Sequence, residues 1–266
     1  MDCIGRVIRV SMALFSEGHA MFARHLVITA NACVALLLSQ LSQALPIADS
    51  IAEFSGTQAQ DGWSYGLYNR TAGGPYTPAG FVAFDTFDGS TWRASDAQVG
   101  ANNNDFLNLN SVGGHPNGIG PSPQTANIWA VRRYASELAG LISIGFDLRK
   151  VNTVNPNGGG ITGRIFVDGV EVFTRFIANA DGVGVQDSIV RQVAVGSLID
   201  FVIDPLGIAP GTGDGAESAR ADGSHFSAVI GLAPIAEPGS LALVLGASLA
   251  ACSARRRQRS KEHRPA

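Results

Sequence analysis

The chain has 266 residues, of which 45% are hydrophobic and 15% are charged, a composition that permits a packed core and excludes an intrinsically disordered chain. Residues 45–236 carry 10 Lys and Arg against 18 Asp and Glu, a net charge of −8, which disfavours nucleic acid as a partner because like charges repel. The three cysteines, Cys3, Cys33 and Cys252, lie outside this region, so it holds neither a disulfide framework nor a cysteine-based zinc site.

Residues 1–44 are predicted to be an export signal. This signal would form a helix and would be cleaved off after the chain has crossed the membrane. A basic pair precedes the apolar segment 26–38, and small residues then lead to a cleavage site between Ala44 and Leu45. This order of basic, apolar and small residues is typical of secretory signals, and the apolar segment is too short for a transmembrane anchor. Met21 would make a normal start, and the signal would then begin there rather than at the first residue.

Residues 45–233 are predicted to form an all-β body. Their apolar segments show the alternation of strands and are separated by turns rich in Gly, Asn and Pro, and none shows a convincing helical period. The Asp168-Gly169 dipeptide suits a type I′ turn, because both turn residues need a positive φ. The segments 188–196 and 197–204 are expected to pair with each other. The predicted strands are 81–87, 126–135, 141–148, the two halves of 163–177, 188–196, 197–204 and 224–232.

Serial strands of this kind predict an antiparallel β-sandwich, with a jelly roll as the expected form. Three polar segments, at 94–125, 151–160 and 204–223, are predicted to be long loops. Loops of this length in a compact sandwich tend to carry function or to be mobile.

The body shows no recognisable catalytic motif, so a non-catalytic protein is predicted. Its histidines are His115 and His225, and no G-x-S-x-G turn is present to hold a nucleophilic serine. Pairs of carboxylates form in space rather than in sequence. A hydrolase acting on an extracellular glycan therefore stays open as the alternative, although Glu is rare in the body.

A structural calcium ion is the one cofactor that the sequence suggests. Asp204, Asp214 and Asp222 lie in one Gly-rich segment and could supply the hard oxygen ligands that calcium prefers. Their spacing does not match an EF-hand, and a solvated acidic loop is the alternative interpretation.

Aromatic side chains are the candidate ligand contacts. Trp63, Tyr65 and Trp92 could stack on the apolar faces of sugar rings while polar neighbours take the hydroxyls. Trp63 and Tyr65 lie in a turn-rich stretch, 60–70, where rings could face solvent. The alternative is that all the aromatic residues are packing residues, as is expected for Trp129 on its strand.

The C-terminal residues 234–266 differ in composition from the body. Residues 238–254 contain no charge and would span about 26 Å as a helix, slightly less than the hydrocarbon core of a bilayer. Arg255, Arg256 and Arg257 follow at once, which is typical of a membrane stop with a cytoplasmic basic end. The sequence therefore predicts a C-terminal transmembrane helix with the body outside.

This tail resembles the PEP-CTERM sorting signal of exported bacterial proteins. Glu237, Pro238 and Gly239 are followed by the apolar segment and the arginine cluster. The usual Pro-Glu-Pro is Ala236-Glu237-Pro238 here, so the first proline is missing. The resemblance implies processing by an exosortase-type membrane enzyme in bacteria that make extracellular polysaccharide.

The body resembles, by pattern, the jelly-roll, galactose-binding-like domains of such proteins, in segments 54–68, 130–144 and 164–173. Together the two resemblances imply a protein that is exported and held transiently in the inner membrane. It would then reach the cell surface or the extracellular matrix, where it would bind polysaccharide or serve a structural role.

Overall fold

The computed structural model describes residues 46–103, 106–118, 125–154, 159–205 and 222–233. Strands dominate this part of the chain, together with one four-residue helix, α1, at Asp96–Val99. The strands are β1 Pro46–Asp49, β2 Trp63–Asn69, β3 Val82–Ala83, β4 Thr86–Phe87, β5 Thr91–Arg93, β6 Asn108–Asn110, β7 Gly113–His115, β8 Ile128–Ala135, β9 Gly140–Lys150, β10 Ile161–Val167, β11 Val170–Ile177, β12 Val185–Val193, β13 Leu198–Asp204 and β14 Ser224–Leu232.

The strands form two sheets, and every pairing between described strands is antiparallel. The eight-stranded sheet has the order β12-β9-β14-β7-β6-β5-β4, with β1 paired to β14. The six-stranded sheet has the order β11-β10-β13-β8-β2-β3. Side chains from both sheets share one hydrophobic core. The predicted antiparallel β-sandwich is therefore confirmed, as an all-β fold of two packed sheets.

Alternate residues of the strands point into the main core. In β8, Ile128 and Ala130 are fully buried between the sheets, and Ile199 and Phe201 of the neighbouring strand β13 lie in the same core with 0% and 2% exposure. In β9, Ile144 and Leu148 fill the same layer from the opposite sheet. Period-two burial is what a sheet with one face against the core requires.

The predicted hairpin at 163–177 is confirmed. Asp168 and Gly169 connect β10 to β11 and have φ values of 50° and 83°. Both values are positive, as a type I′ turn demands. The strands predicted at 126–135 and 224–232 also form, as β8 and β14.

The predicted pairing of 188–196 with 197–204 is wrong. β12 pairs with β9 in the eight-stranded sheet, whereas β13 lies between β10 and β8 in the six-stranded sheet. A turn through Gly196, at φ 84°, carries the chain from one sheet to the other. Two adjacent apolar segments thus serve opposite layers of the core.

The segment 81–87 also changes sheets instead of forming one strand. β3 pairs with β2 in the six-stranded sheet, and β4 pairs with β5 in the eight-stranded sheet. Phe84, between them, is 2% exposed in the main core. Its burial marks the crossing between the two layers.

The predicted loop 94–125 is partly wrong, because it contains α1, β6 and β7. Leu107 and Leu109 are buried in the main core and hold β6 in place. A β-carbon at Gly113 would collide with the carbonyl oxygen of Ser224, so glycine is what allows β7 to lie against β14. Gly66 of β2 has the same role toward the carbonyl oxygen of Val82.

The predictions at the chain termini lie outside the described residues. These are the signal segment 1–44, the transmembrane segment 238–254 and the basic cluster that follows it. Within the described ranges, no helix has the length and the apolar character that crossing a bilayer requires.

Candidate functional site on the outer face of the six-stranded sheet

A second apolar cluster lies on the outer face of the six-stranded sheet, away from the main core. It forms because β8 is apolar on both faces: Ile128 and Ala130 point inward, while Trp129 and Val131 point outward. The covering segment 70–81 lies over this face. The outer cluster consists of Tyr68, Tyr76, Trp129, Val131, Phe166 and Val202.

The rings of the outer cluster pack closely on one another. The centroids of Tyr76 and Phe166 are 4.2 Å apart, and those of Tyr68 and Tyr76 are 4.6 Å apart. Trp129 stacks on Tyr76 at 6.1 Å with an interplanar angle of 19°. Each ring is less than 10% exposed, so the covering segment excludes water from this face.

Asp200 anchors the covering segment to the sheet. Its fully buried carboxylate accepts hydrogen bonds from the Tyr76 hydroxyl at 2.7 Å and from Arg133 Nε at 2.6 Å. Burial and the charge of Asp200 together raise the pKa of Tyr76 well above its usual range. The guanidinium of Arg133 also lies 4.2 Å from the Phe81 ring centroid. This contact holds a further residue of the covering segment against the sheet.

Two other cations lie over Trp129. The guanidinium carbon of Arg164 is 5.4 Å from the Trp129 ring centroid, and that of Arg70 is 4.9 Å from it. Arg164 is neutralised, since its Nε contacts Asp204 at 3.1 Å and its Nη1 contacts Glu171 at 2.7 Å. Arg70 makes no ion pair with any residue in the described ranges.

Near the Trp129 ring, three polar atoms lack hydrogen-bond partners within the part of the chain that the structure describes. They are Arg70 Nη1, Asn127 Oδ1 and Trp129 Nε1, and all three are buried. The backbone N–H of Arg70 donates to the carbonyl of Asn127 at 2.8 Å, which sets these residues opposite each other just beyond the paired ends of β2 and β8. We call Arg70, Asn127 and Trp129 the Arg70 site. Its two donors and one acceptor can complement a polar ligand.

The predicted ligand contacts lie elsewhere, in the main core. Trp63 and Tyr65 are fully buried on β2 and Trp92 on β5 is 6% exposed. The indole N–H of Trp63 donates to Glu53 at 2.8 Å, and that of Trp92 to the carbonyl of Ser55 at 2.8 Å. The prediction that these three rings contact a ligand stays untested, and their burial lends it no support.

The sequence predicts a turn-rich stretch around Trp63, but residues Trp63–Asn69 form strand β2. Every tryptophan and tyrosine of the chain is less than 10% exposed. This agrees with the alternative interpretation that the aromatic residues pack the interior. A sugar therefore finds no freely exposed tryptophan or tyrosine ring on this surface.

Two of the predicted calcium ligands pair with cations. Asp204 contacts Arg164 at 3.1 Å, and Asp222 contacts Lys150 at 2.9 Å with both side chains at 1% exposure or less. Asp214 lies outside the described residues. Within those residues, no group of three or more His, Cys, Asp and Glu side chains is placed to hold a metal ion. Calcium binding through all three aspartates stays a prediction.

A Ser-His-Asp trio lies on the outer face of the eight-stranded sheet but lacks the geometry of a catalytic triad. His225 Nε2 contacts Ser227 Oγ at 3.0 Å and Asp147 Oδ2 at 3.5 Å. A triad uses opposite ring nitrogens for the serine and the carboxylate, whereas here both partners meet the same nitrogen. The trio therefore cannot pass a proton from the serine through the ring.

The buried carboxylates of the described residues are paired with cations. Asp200, Asp204 and Asp222 are at most 1% exposed, and each contacts an arginine or lysine. These three side chains therefore take part in buried ion pairs within the sandwich.

The sorting residues Glu237, Pro238 and Gly239, the basic cluster at 255–257 and the cleavage site at 44–45 lie outside the described residues. By contrast, the Arg70 site was missed by the sequence reasoning. Its signal was present in β8, where apolar residues occupy both faces and therefore predict a second buried surface.

The sequence matches no protein-family model and no curated protein. A family 35 carbohydrate binding module from Clostridium thermocellum is 14% identical over 40% of this chain and 72% of its own, with a TM-score of 0.26. CBM51 from Clostridium perfringens GH95, solved with methyl-galactose, is 10% identical over 62% of this chain and 98% of its own, with a TM-score of 0.28.

A β-glucosidase from Kluyveromyces marxianus, solved with glucose, is 10% identical over 73% of this chain and 18% of its own, with a TM-score of 0.30. At such identities and TM-scores, these likenesses assign neither a family nor a ligand to this chain.

Proposed function

We propose that this chain is an exported, non-catalytic β-sandwich protein that binds polysaccharide through the Arg70 site. The single observation that carries the proposal is the presence of three buried polar atoms without described partners on Arg70, Asn127 and Trp129, which are neighbours in the structure. Native proteins satisfy nearly all buried polar groups, so this concentration favours a ligand rich in hydroxyl or carboxylate groups. Sugars carry such groups on every residue.

The sequence features supply the setting of this proposal. The predicted signal 1–44 would export the body, and the PEP-CTERM-like tail 234–266 would hold it transiently in the inner membrane. An exosortase-type enzyme would then process the tail near Glu237-Pro238, and the body would reach the cell surface or the extracellular matrix. The jelly-roll, galactose-binding-like relationship of the body belongs to this proposal as well.

The non-catalytic part of the proposal is supported by the geometry of the charged residues. The Ser227, His225 and Asp147 trio meets at one ring nitrogen, and the buried carboxylates contact cations. These arrangements suit binding and structural stability rather than acid–base chemistry.

Affinity electrophoresis of the full chain in detergent tests the proposal, with gels that contain dextran, a neutral galactan or polygalacturonate. At least one polysaccharide should retard the protein. Trp129→Phe should weaken this retardation about tenfold, because it keeps an aromatic ring but removes a donor to the ligand. Trp92→Phe is the matched control, since that indole N–H is already bonded within the core, and it should leave the retardation unchanged.

Three results would overturn the proposal. Migration that no tested polysaccharide alters indicates a purely structural protein. If Trp129→Phe and Trp92→Phe weaken the retardation equally, the polysaccharide binds outside the Arg70 site. Release of new reducing ends from a polysaccharide, lost on substitution of a body carboxylate, indicates a hydrolase.

A further inference from the structure

The unpartnered atoms of the Arg70 site differ from those inside the main core. The Tyr65 hydroxyl and Arg132 Nε also lack partners among the described residues, but these side chains are 0% and 2% exposed between the sheets. Such sealed positions suit a buried water molecule. Arg70 is only half-buried, so the Arg70 site borders on solvent and a larger group can approach it.

No carboxylate of the described ranges balances the charge at the Arg70 site. Arg133 and Arg164, on the same face, are paired with Asp200 and Asp204. Arg70 has no carboxylate partner in the described ranges, and its guanidinium lies over the ring of Trp129. A cation that stays charged in proteins and is partly shielded from water attracts an anion more strongly than an exposed one does.

The number and kind of open groups limit the ligand further. Arg70 Nη1 and Trp129 Nε1 are donors, and Asn127 Oδ1 is an acceptor. A carboxylate has two oxygens that accept hydrogen bonds, and a neighbouring hydroxyl has one hydrogen to donate. A uronate unit carries both groups, whereas a neutral sugar lacks the charge that Arg70 favours.

We propose that the Arg70 site binds the carboxylate of an acidic sugar unit, with Arg70 and Trp129 as donors to its oxygens and Asn127 as acceptor from an adjacent hydroxyl. This inference rests on the proposed polysaccharide-binding function and names the class of its ligand. Arg70 makes no side-chain hydrogen bond to any residue in the described ranges. Among the described residues, its guanidinium is held by the cation–π contact with Trp129, a modest restraint that a bound carboxylate can replace.

The indole N–H signals in a ¹H–¹⁵N spectrum of the full chain provide a direct readout. The chain has three tryptophans, and Trp63 and Trp92 are internal references because their N–H groups are bonded to Glu53 and Ser55. The signal that disappears in Trp129→Phe identifies Trp129. Glucuronate should shift this signal alone, whereas glucose and the methyl ester of glucuronate should not.

Substitution of Arg70 then tests the charge. Arg70→Gln should lower the affinity for polygalacturonate about tenfold, because it removes a charge-assisted hydrogen bond, and Arg70→Lys should restore part of the loss. Arg175→Gln, an exposed arginine on β11, is the matched control and should bind as the wild type does.

The outcomes separate this inference from the proposed function. Retardation by neutral and acidic polysaccharides alike, with a Trp129 signal that responds equally to glucose, overturns the acidic ligand but leaves polysaccharide binding standing. A Trp129 signal that no sugar shifts, with wild-type affinity in Arg70→Gln, shows that water alone fills the Arg70 site and overturns the inference. Failure to bind any polysaccharide overturns the proposed function itself.

Discussion

Between the sheets, the indole N–H groups of Trp63 and Trp92 donate to Glu53 and to the carbonyl of Ser55. On the outer face of the six-stranded sheet, the indole N–H of Trp129 donates to no residue that the structure describes. Both places are aromatic, and all three indole rings are less than 10% exposed, so burial alone does not separate them. The difference is that the chain itself completes the indole hydrogen bonds of Trp63 and Trp92, whereas the proposed ligand site would need another molecule to complete that of Trp129.

The comparison between the main core and the outer cluster assumes that both are firmly packed. It would fail if the outer cluster were a loosely packed surface patch. Asp200→Ala tests this, because it leaves Arg133 and the Tyr76 hydroxyl without their shared carboxylate. Removing one partner of a buried ion pair costs about 3–5 kcal/mol, and we expect a loss of this size in the free energy of unfolding, measured with denaturant.

Arg93→Ala is the control for that loss, since Arg93 pairs with Asp88 at an exposed position and its removal should change stability little. Losses of equal size in the two variants would show that the covering segment is not fastened to the sheet.

The comparison extends to the eight-stranded sheet, where the free energy of unfolding at several pH values tests the environment of His115 on β7. Burial lowers the pKa of His115 to about 4, helped by the charge of Lys150 and opposed by the contact with the Pro116 carbonyl. An unfolded histidine has a pKa near 6.5, so between these values the unfolded state binds the proton and stability falls as the pH falls.

The contribution of His115 to the loss from pH 7 to pH 5 is at most about 2 kcal/mol, because each pKa unit corresponds to about 1.4 kcal/mol. The loss should be smaller in His115→Gln, measured as the free energy of unfolding at both pH values. An identical pH dependence in the variant and the wild type would contradict the burial of a neutral His115.

The smallest expected effect compares two tryptophans directly. Trp63→Phe and Trp129→Phe remove similar volume, but only Trp63→Phe breaks an indole hydrogen bond, to Glu53. Trp63→Phe should therefore be more destabilising by about 1 kcal/mol, the usual net value of a hydrogen bond. Thermal unfolding of both variants without ligand measures the difference, and equal losses would mean that Trp129 is already bonded.

The sequence predicts the β-sandwich more fully than it predicts the Arg70 site. The Asp168-Gly169 turn and the alternation in 224–232 are local, so a hairpin and a strand could be read from neighbouring residues alone. Membership in a sheet is not local. Segments 188–196 and 197–204 are adjacent and similarly apolar, yet they join different sheets because a turn at Gly196 carries the chain across.

The Arg70 site was beyond prediction for the same physical reason. Arg70 meets Asn127 and Trp129 only through the register of β2 on β8, in which Tyr68 lies opposite Trp129. No pattern in residues 60–70 specifies that register. What the sequence does show is the two-faced apolar character of β8, which indicates an outer cluster without saying which polar atoms it leaves open.

The close approaches at Gly66 and Gly113 bear on the ancestry of this chain. Any side chain there would strike the carbonyl oxygen of Val82 or of Ser224, so both positions are closed to substitution for as long as these strands pair. Glycine at these two places is therefore expected in any homologue that keeps the pairings of β2 with β3 and of β7 with β14.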